Sequence, residues 1–347
     1  MSFRKIKARQ TIFSLVVAII IVPLSQRFCL ADELTVTTWN LEHFGSPGRG
    51  FGGGFGGGSL PKRGPDDFKK IAKFIKNDLK SDVLALQEIA ITHRRLGASY
   101  SKPLKAVVDE LKTLGEDKWR YYLPAVEKTP PDNKSNEYLG FLWNAERARL
   151  LRVFELDLPN QRLAGKNLFD RKPLIGYFEA IDENGKSKND FVLVNVHLGS
   201  GQDNDENHLI AMTLIEYNLA RNLGKNAVTE KDIIILGDFN DNPHSTKNGK
   251  KIHTPALYDH MKFKGYVDLV PAEVKTTRMN NALNSLIDHV LVSADAKKDV
   301  PTNKATVFKP GNGDSSKYAD WRKTFSDHFP ISFKITIRAD NDTDFFK

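Results

Sequence analysis

Six short segments of this chain end in residues able to do hydrolytic chemistry. They are Asn40 in TTWN, Glu88 in LALQE, His197 in VNVHL, Asp238 with Asn240 in GDFND, Asp288 in LIDHV, and Asp327 with His328 in SDHFP. Each abuts an apolar run, such as Ile233–Leu236, that reads as a buried strand. Carboxylates and amides are costly to bury without partners. A single His or Asp at a strand end is most often a hydrogen-bonded structural residue. Six such ends are not explained by stability, because massed carboxylates repel one another unless a cation or a proton offsets them. The donor set is oxygen-rich and has no thiolate, which favours Mg²⁺, or alternatively Mn²⁺ or Ca²⁺, over zinc. The chemistry that suits it is metal-assisted phosphoester hydrolysis. A hard cation stabilises charge on phosphate oxygens, a histidine moves a proton near neutrality, and amides donate to phosphate without adding negative charge.

The elements that must position these residues alternate along the chain. LTVTTWNL reads as a strand and VLALQEI as a second, buried one. Between them, Phe68, Ile71, Ala72, Ile75 and Leu79 recur at helical spacing, with Asp66 and Asp67 in the first turn. PLKAVVDELKTLG predicts a helix with a Gly stop, and ENHLIAMTLIEYNLARNLG a longer one. YLGFLWN, ARLLRVFEL, PLIGYFEAI, DFVLVNVHL, DIIILGDF, SLIDHVLVS and PISFKITI predict strands, with a hairpin across DENGKSKN. Many strands with few helices point to two packed sheets flanked by helices. No linker divides residues 33–338, so one domain is expected, followed by a frayed tail at 339–347.

The first 31 residues read differently. A basic stretch precedes the apolar TIFSLVVAIIIVPL, and Ala31 is a small residue before Asp32. That is the pattern of a secretory signal peptide cut after Ala31, with an uncleaved membrane anchor as the alternative. Cys29 is the single cysteine of the chain and would leave with it. Disulfides, zinc thiolate sites and a cysteine nucleophile are then excluded. The segment also carries five basic residues and no acid. Of 51 basic residues, 46 would remain against 43 acidic, and the formal charge of +8 would fall to +3. The basic pI is therefore a weak pointer to nucleic acid. The Gly-rich stretch at 44–64 is expected to be a mobile insertion, in which Phe51 and Phe55 could touch a substrate or surface. It matches no phosphate-binding Gly loop, since no GKS or GKT follows.

In this order, WNLEHF, LALQEI, VNVHLGSG, ILGDFNDNP, LIDHVLVS and SDHFPISF resemble the motif set of the endonuclease/exonuclease/phosphatase superfamily, the deoxyribonuclease I-like fold. The resemblance spans residues 34–338. It implies a four-layered α/β sandwich of two packed, mainly antiparallel sheets flanked by helices, with the site at the top of the sheets. It implies Glu88 as principal metal ligand, Asn40 near metal and phosphate, and Asp327 as a further candidate metal ligand. Asp238 would orient or activate water and Asn240 would bind phosphate. His328 would be an acid/base with Asp288 as its carboxylate partner, and His197 a second acid/base or phosphate donor. Arg171 in DRKPLIGYF resembles an arginine that contacts phosphate, with Lys172 as a rival. Glu137 in NEYLGFLWN resembles a glutamate that supports the first of the two histidines, although its spacing is off by one. Asp241 replaces a residue that is more usually small and is expected to face solvent. His289 should point to the opposite strand face as a structural residue. His43, His93, His208, His244, His253 and His260 have no motif claim on chemistry.

A fold of this kind hosts nucleases, inositol-phosphate phosphatases and sphingomyelinases, so the substrate must be argued from the site. Export argues against genome repair and intracellular inositol signalling. It leaves a secreted or periplasmic nuclease, or a phospholipid phosphodiesterase, which usually needs an exposed apolar element to meet a bilayer. The polar loops KTTRMNNALNS, TKNGKKIHT and SSKYADWRK suit phosphate contacts. The expected activity is a metal-dependent nuclease of little sequence specificity, acting on DNA, with no obligate protein partner and as a monomer. A binding module on the same fold is disfavoured, because all six segments keep their chemical residues.

Overall fold

The computed structural model describes residues 32–46, 61–93, 99–115, 118–125, 137–158, 162–163, 166–169, 171–200, 205–242, 246–247, 250–251, 256–271, 273–274, 276–279 and 285–339. Residues 1–31, which the sequence pattern reads as a signal peptide, residues 47–60 of the Gly-rich stretch and residues 340–347 lie outside them. The described residues all fall within one compact unit.

Two six-stranded sheets carry the fold. The first runs in the order β15 (Thr306–Val307), β16 (Ile331–Thr336), β1 (Glu33–Phe44), β2 (Val83–Ala90), β4 (Glu137–Asn144), β3 (Trp119–Tyr122). The second runs β13 (Val267–Asp268), β14 (Asp288–Val292), β10 (Ile233–Asp238), β9 (Ser187–His197), β8 (Leu174–Ile181), β5 (Ala148–Glu155). Each is antiparallel except for one central parallel pair, β1 with β2 and β9 with β10. Two ribbons of two-residue strands, β6 (Arg162–Leu163) with β7 (Lys166–Asn167) and β11 (Thr246–Lys247) with β12 (Lys250–Lys251), lie outside the sheets. The hairpin expected across DENGKSKN joins β8 to β9.

Strict alternation sorts the side chains into layers. Leu34 and Val36 of β1, Phe191 and Leu193 of β9, Ile234 and Leu236 of β10, and Val290 and Val292 of β14 form the core between the sheets. The intervening Trp39 and Leu41 face the helices on the first sheet's outer side, α1 (Pro65–Phe74), α2 (Lys102–Thr113) and α5 (Tyr318–Thr324). Val192, Val194, Val196 and Ile235 face α3 (Asp205–Lys225) and α4 (Ala256–Phe263) on the other side. Four layers result. SSKYADWRK, expected as an open phosphate-contacting loop, is mostly helix: α5 buries Trp321 against Trp39, Phe74 and Phe325.

The same alternation aims the chemistry. Continued past the core-facing residues, it places Asn40, Asn195, His197, Asp238 and Asp288 on the inner faces. Glu88 breaks the rule. In β2, Leu84 and Leu86 face the helices, so Glu88 should too. Instead the β2–β4 register slips by one residue between Leu86 and Ile89, and Glu88 takes a left-handed φ of 60°. Ile89 and Ile91 resume the helix-facing side. This bulge leaves both Gln87 and Glu88 off the outer face, as bulges do when they re-aim a side chain. Gln87 crosses the core to donate to Asn195 Oδ1 at 2.7 Å, and Asn195 donates back to Leu86 O and Gly140 O. The two sheets are thus tied by hydrogen bonds just beneath the site.

Gly237 sets how closely β9 and β10 run. Its φ is 140°, and a Cβ there would sit 2.1 Å from the Val196 carbonyl oxygen. Gly237→Ala is expected to destabilise the fold by about 2–4 kcal/mol through backbone strain and the clash. A chemical-denaturation midpoint equal to that of the wild type would show that the strands do not approach so closely.

Candidate active site

Register brings the second sheet's residues together. Asp238 pairs with His197 across the parallel β9–β10 ladder and with Asp288 across the antiparallel β10–β14 ladder. The loop beyond β10 is pinned at once. Asn240, at a left-handed φ of 48°, donates its backbone N–H to Asp238 Oδ1 at 2.9 Å and its amide to Leu198 O at 2.8 Å. From the first sheet, His328 precedes β16. Its Nδ1 lies 2.9 Å from Asp288 Oδ2, and its Nε2 lies 3.7 Å from both Asp238 Oδ2 and Asp327 Oδ1. Ser326 fixes this turn by donating to Asn40 O at 2.6 Å and accepting the His328 N–H at 3.0 Å.

Asn40 is the tie between the sheets' carboxylates. Its amide nitrogen donates to Glu88 Oε1 and to Asp238 Oδ2, both at 3.0 Å, and its oxygen accepts from the Glu42 N–H. It is fully buried. His197 Nε2 lies 3.5 Å from Asp238 Oδ2 and 3.9 Å from Glu88 Oε1. Its Nδ1 is buried without a hydrogen-bond partner among the described residues. The structure therefore gathers Asn40, Glu88, His197, Asp238, Asp288, Asp327 and His328 around one hollow, with Asn240 at its edge.

Three features of the rim were not legible as chemistry. His43, given no role by motif, donates its backbone N–H to Glu88 Oε2 at 2.9 Å, and its ring meets Glu137. Glu137 also holds Arg171, whose Nη2 lies 2.8 Å from Glu137 Oε2. Glu137 thus supports His43 and Arg171 rather than His197. Glu42, also passed over, sits buried between Arg63 and Arg322. The third feature is Arg278, which donates from Nε to Asp327 Oδ2 at 2.8 Å. Glu42 and His43, like Glu88, carry positive φ. Strained backbone of this kind concentrates at functional sites, but dihedral angles are not written in residue type. Asp241, expected in solvent, is buried beside His208, whose Nε2 bonds Gly199 O at 2.7 Å. His289 faces the opposite side as expected and pairs with Asp268 at 2.7 Å.

Crowded charge perturbs the site strongly. Burial pulls the His328 imidazole down, but Asp288, Asp327 and Asp238 outweigh it and hold it up at about 10. Burial and the neighbouring Asp288 push Asp238 up to about 6, against the attraction of His328. Burial and Arg171 hold His197 well below its ordinary value, hence neutral. Burial would raise Glu88, but Arg171, His43 and the hydrogen bond from Asn40 hold it below the ordinary carboxylate range, and His328 and Arg278 do the same for Asp327. A cationic acid and a carboxyl raised above its ordinary value face each other, a pairing suited to proton transfer.

Metal-ligating atoms of Glu88, His197 and Asp238 lie within 4.8 Å of one another, as do those of Asp238, Asp288 and His328, and those of His43, Glu88 and Glu137. Asp327 belongs to none of these close groups. Burial first, and then the neighbouring Asp288, disfavour the Asp238 carboxylate, and a divalent cation close by would offset both. The donor set fits such a cation at Glu88 and Asp238, in oxygen-rich surroundings that suit a hard ion.

Asp288→Asn should move both perturbed groups to lower pH. Without Asp288 the imidazolium loses its main attraction, and Asp238 loses its main repulsion. The imidazolium contributes stability in full below the ordinary histidine pKa, and that contribution is lost as pH rises through about 10. NMR titration of metal-free protein checks this. A His328 resonance that still titrates near 10 in the Asp288→Asn variant would refute the assignment.

Comparison with known proteins agrees with this geometry. The family model described as "Endonuclease/Exonuclease/phosphatase family" matches residues 37–328. A human protein, "Endonuclease/exonuclease/phosphatase family domain-containing protein 1", is 28% identical over 60% of this chain. The chain spans about a third of the length of that relative, 35%. Among solved structures, an endonuclease/exonuclease/phosphatase family protein from Leptotrichia buccalis superposes with a TM-score of 0.54 at 14% identity, covering 87% of this chain and 99% of that one. The human Nocturnin catalytic domain with bound sulfate gives 0.50 at 13% identity, over 89% and 96%. These distant likenesses speak to the fold, and the family match covers all six chemical segments: the chain belongs to the endonuclease/exonuclease/phosphatase family.

Proposed function

We propose that this chain is an exported, divalent-metal-dependent nuclease that hydrolyses phosphodiester bonds, with DNA as substrate and little sequence specificity. The observation that carries the chemistry is the facing pair at the centre of the hollow. Asp238 is raised towards neutrality, and His328 is held cationic by Asp288. Asp238 takes the proton of a water as its oxygen bonds to phosphorus. His328 gives its proton to the leaving oxygen as the P–O bond breaks. Cleavage on the O3′ side leaves a 5′-phosphate. His197, neutral and unpartnered at Nδ1, serves as a hydrogen-bonding group to phosphate. Glu88, positioned by Asn40, would hold the metal, and Asp327 adds charge nearby. When bound, Mg²⁺ neutralises phosphate charge that builds up during the reaction.

The DNA reading rests on the cationic and polar rim, where Arg171, Arg278, Thr276 and Arg322 offer the groups that contact a phosphate backbone. Export rests on the sequence pattern of residues 1–31.

Purified mature protein should nick plasmid DNA in Mg²⁺ and stop in EDTA. His328→Ala should lose at least about a hundredfold in turnover, the scale of a general acid, while retaining DNA affinity. Glu88→Gln should weaken metal binding measured by calorimetry. Intact plasmid together with phosphocholine release from sphingomyelin would replace the nuclease reading with a phospholipid phosphodiesterase.

A further inference from the structure

We infer that Arg278 is a ligand of the reacting phosphate group, placed on the opposite side of Glu88 from Arg171. This deepens the proposed function and rests on its phosphate-handling site.

Strand order supplies the placement. Arg171 is held by Glu137 at the start of β4, on one side of the central β1–β2 pair, while Asp327 and His328 lead into β16 on the other. Arg278 belongs to the second of these flanks. Its backbone forms an antiparallel bridge with His328, Met279 N–H donates to Asp327 O at 2.7 Å, and Phe329 N–H donates to Thr277 O at 2.7 Å. Thr277 Oγ1 accepts the N–H groups of Ile287 and Asp288. The segment bearing Arg278 is therefore stitched to both halves of the His328–Asp288 pair. Its Nε bond to Asp327 Oδ2 keeps the guanidinium beside them.

The two arginines differ in how they meet solvent. Arg171 is 10% exposed and Arg278 is 44% exposed, whereas Asp238, Asp288, Asp327 and His328 are nearly closed off. Arg278 commits Nε to Asp327, and a guanidinium carries five donors in a planar fork. Its positive charge is felt by His197, Asp238 and Asp327 as well. A phosphate entering the hollow thus meets Arg278 before it meets the buried groups, with the bidentate geometry that suits phosphate oxygens. The alternative is a purely internal role, neutralising Asp327.

The test uses Arg278→Gln and Arg278→Lys in the mature chain, with thermal melting to confirm folding. Calorimetry with inorganic phosphate should show Arg278→Gln weakened about tenfold and Arg278→Lys severalfold, as expected for loss of a charge-assisted bond. With a short DNA duplex in EDTA, the slope of log affinity against log salt should fall by about one in Arg278→Gln, the contribution of one phosphate contact. Wild-type phosphate affinity and an unchanged slope in a folded Arg278→Gln would overturn the proposal. If that variant unfolds, wild-type phosphate affinity in Arg278→Lys overturns it. Phosphate binding that depends on Arg278 in a protein that leaves DNA intact would refute the nuclease reading and support this one. DNA cleavage indifferent to Arg278 would do the reverse.

Discussion

Four carboxylates, Glu88, Asp238, Asp288 and Asp327, crowd together, three of them buried and Glu88 only partly open to solvent. Everything else at this end of the molecule answers that repulsion. His328 stays cationic among three of them, Arg278 pairs with Asp327, and His43 and Arg171 flank Glu88 through Glu137. Asn40 spends both amide hydrogens on keeping two of the acids apart. Burial, with the repulsion of Asp288 added to it, still makes Asp238 hold its proton more tightly than an ordinary aspartate. A site left short of positive charge binds cations and loses or gains protons easily, which is what hydrolysis of a phosphoester asks for.

Much of this could be read from residue order. Alternation in LTVTTWN, FVLVNVH and IIILGD carries Asn40, His197 and Asp238 to the inner faces by the same count that buries Val36, Leu193 and Leu236. Asp288 and His289 divide between the two faces for the same reason. What could not be read depends on departures from regularity. Glu88 reaches the site only because β2 carries an extra residue, and LALQEI looks like an unbroken strand. His43 reaches it because residues 42 and 43 take left-handed backbone at the end of β1. Asp241 looked like a solvent-facing loop residue because its partner His208 lies on a distant helix. Trp321 in SSKYADWRK was hidden by lysines and serines around it, although its burial beside Trp39 makes that segment part of a core.

The rim differs in character from the floor. The floor is made by strand register and is rigid by construction, whereas the rim is assembled from side chains that share partners. Glu137 serves two cations, and Glu42 serves Arg63 and Arg322. Shared partners make these groups interdependent, so substitutions there should not act additively. The family's breadth of substrates is more easily understood at the rim than at the floor.

The bulge in β2 has a consequence of another kind. Because the change of phase is confined to Gln87 and Glu88, Leu84 and Leu86 before them and Ile89 and Ile91 after them keep their apolar neighbours. Heredity can therefore turn that one carboxylate into its amide, which keeps the extra residue and its length, without redrawing the apolar interior. A lineage carrying this scaffold could retire or redirect its chemistry in a single step and still inherit a folded protein.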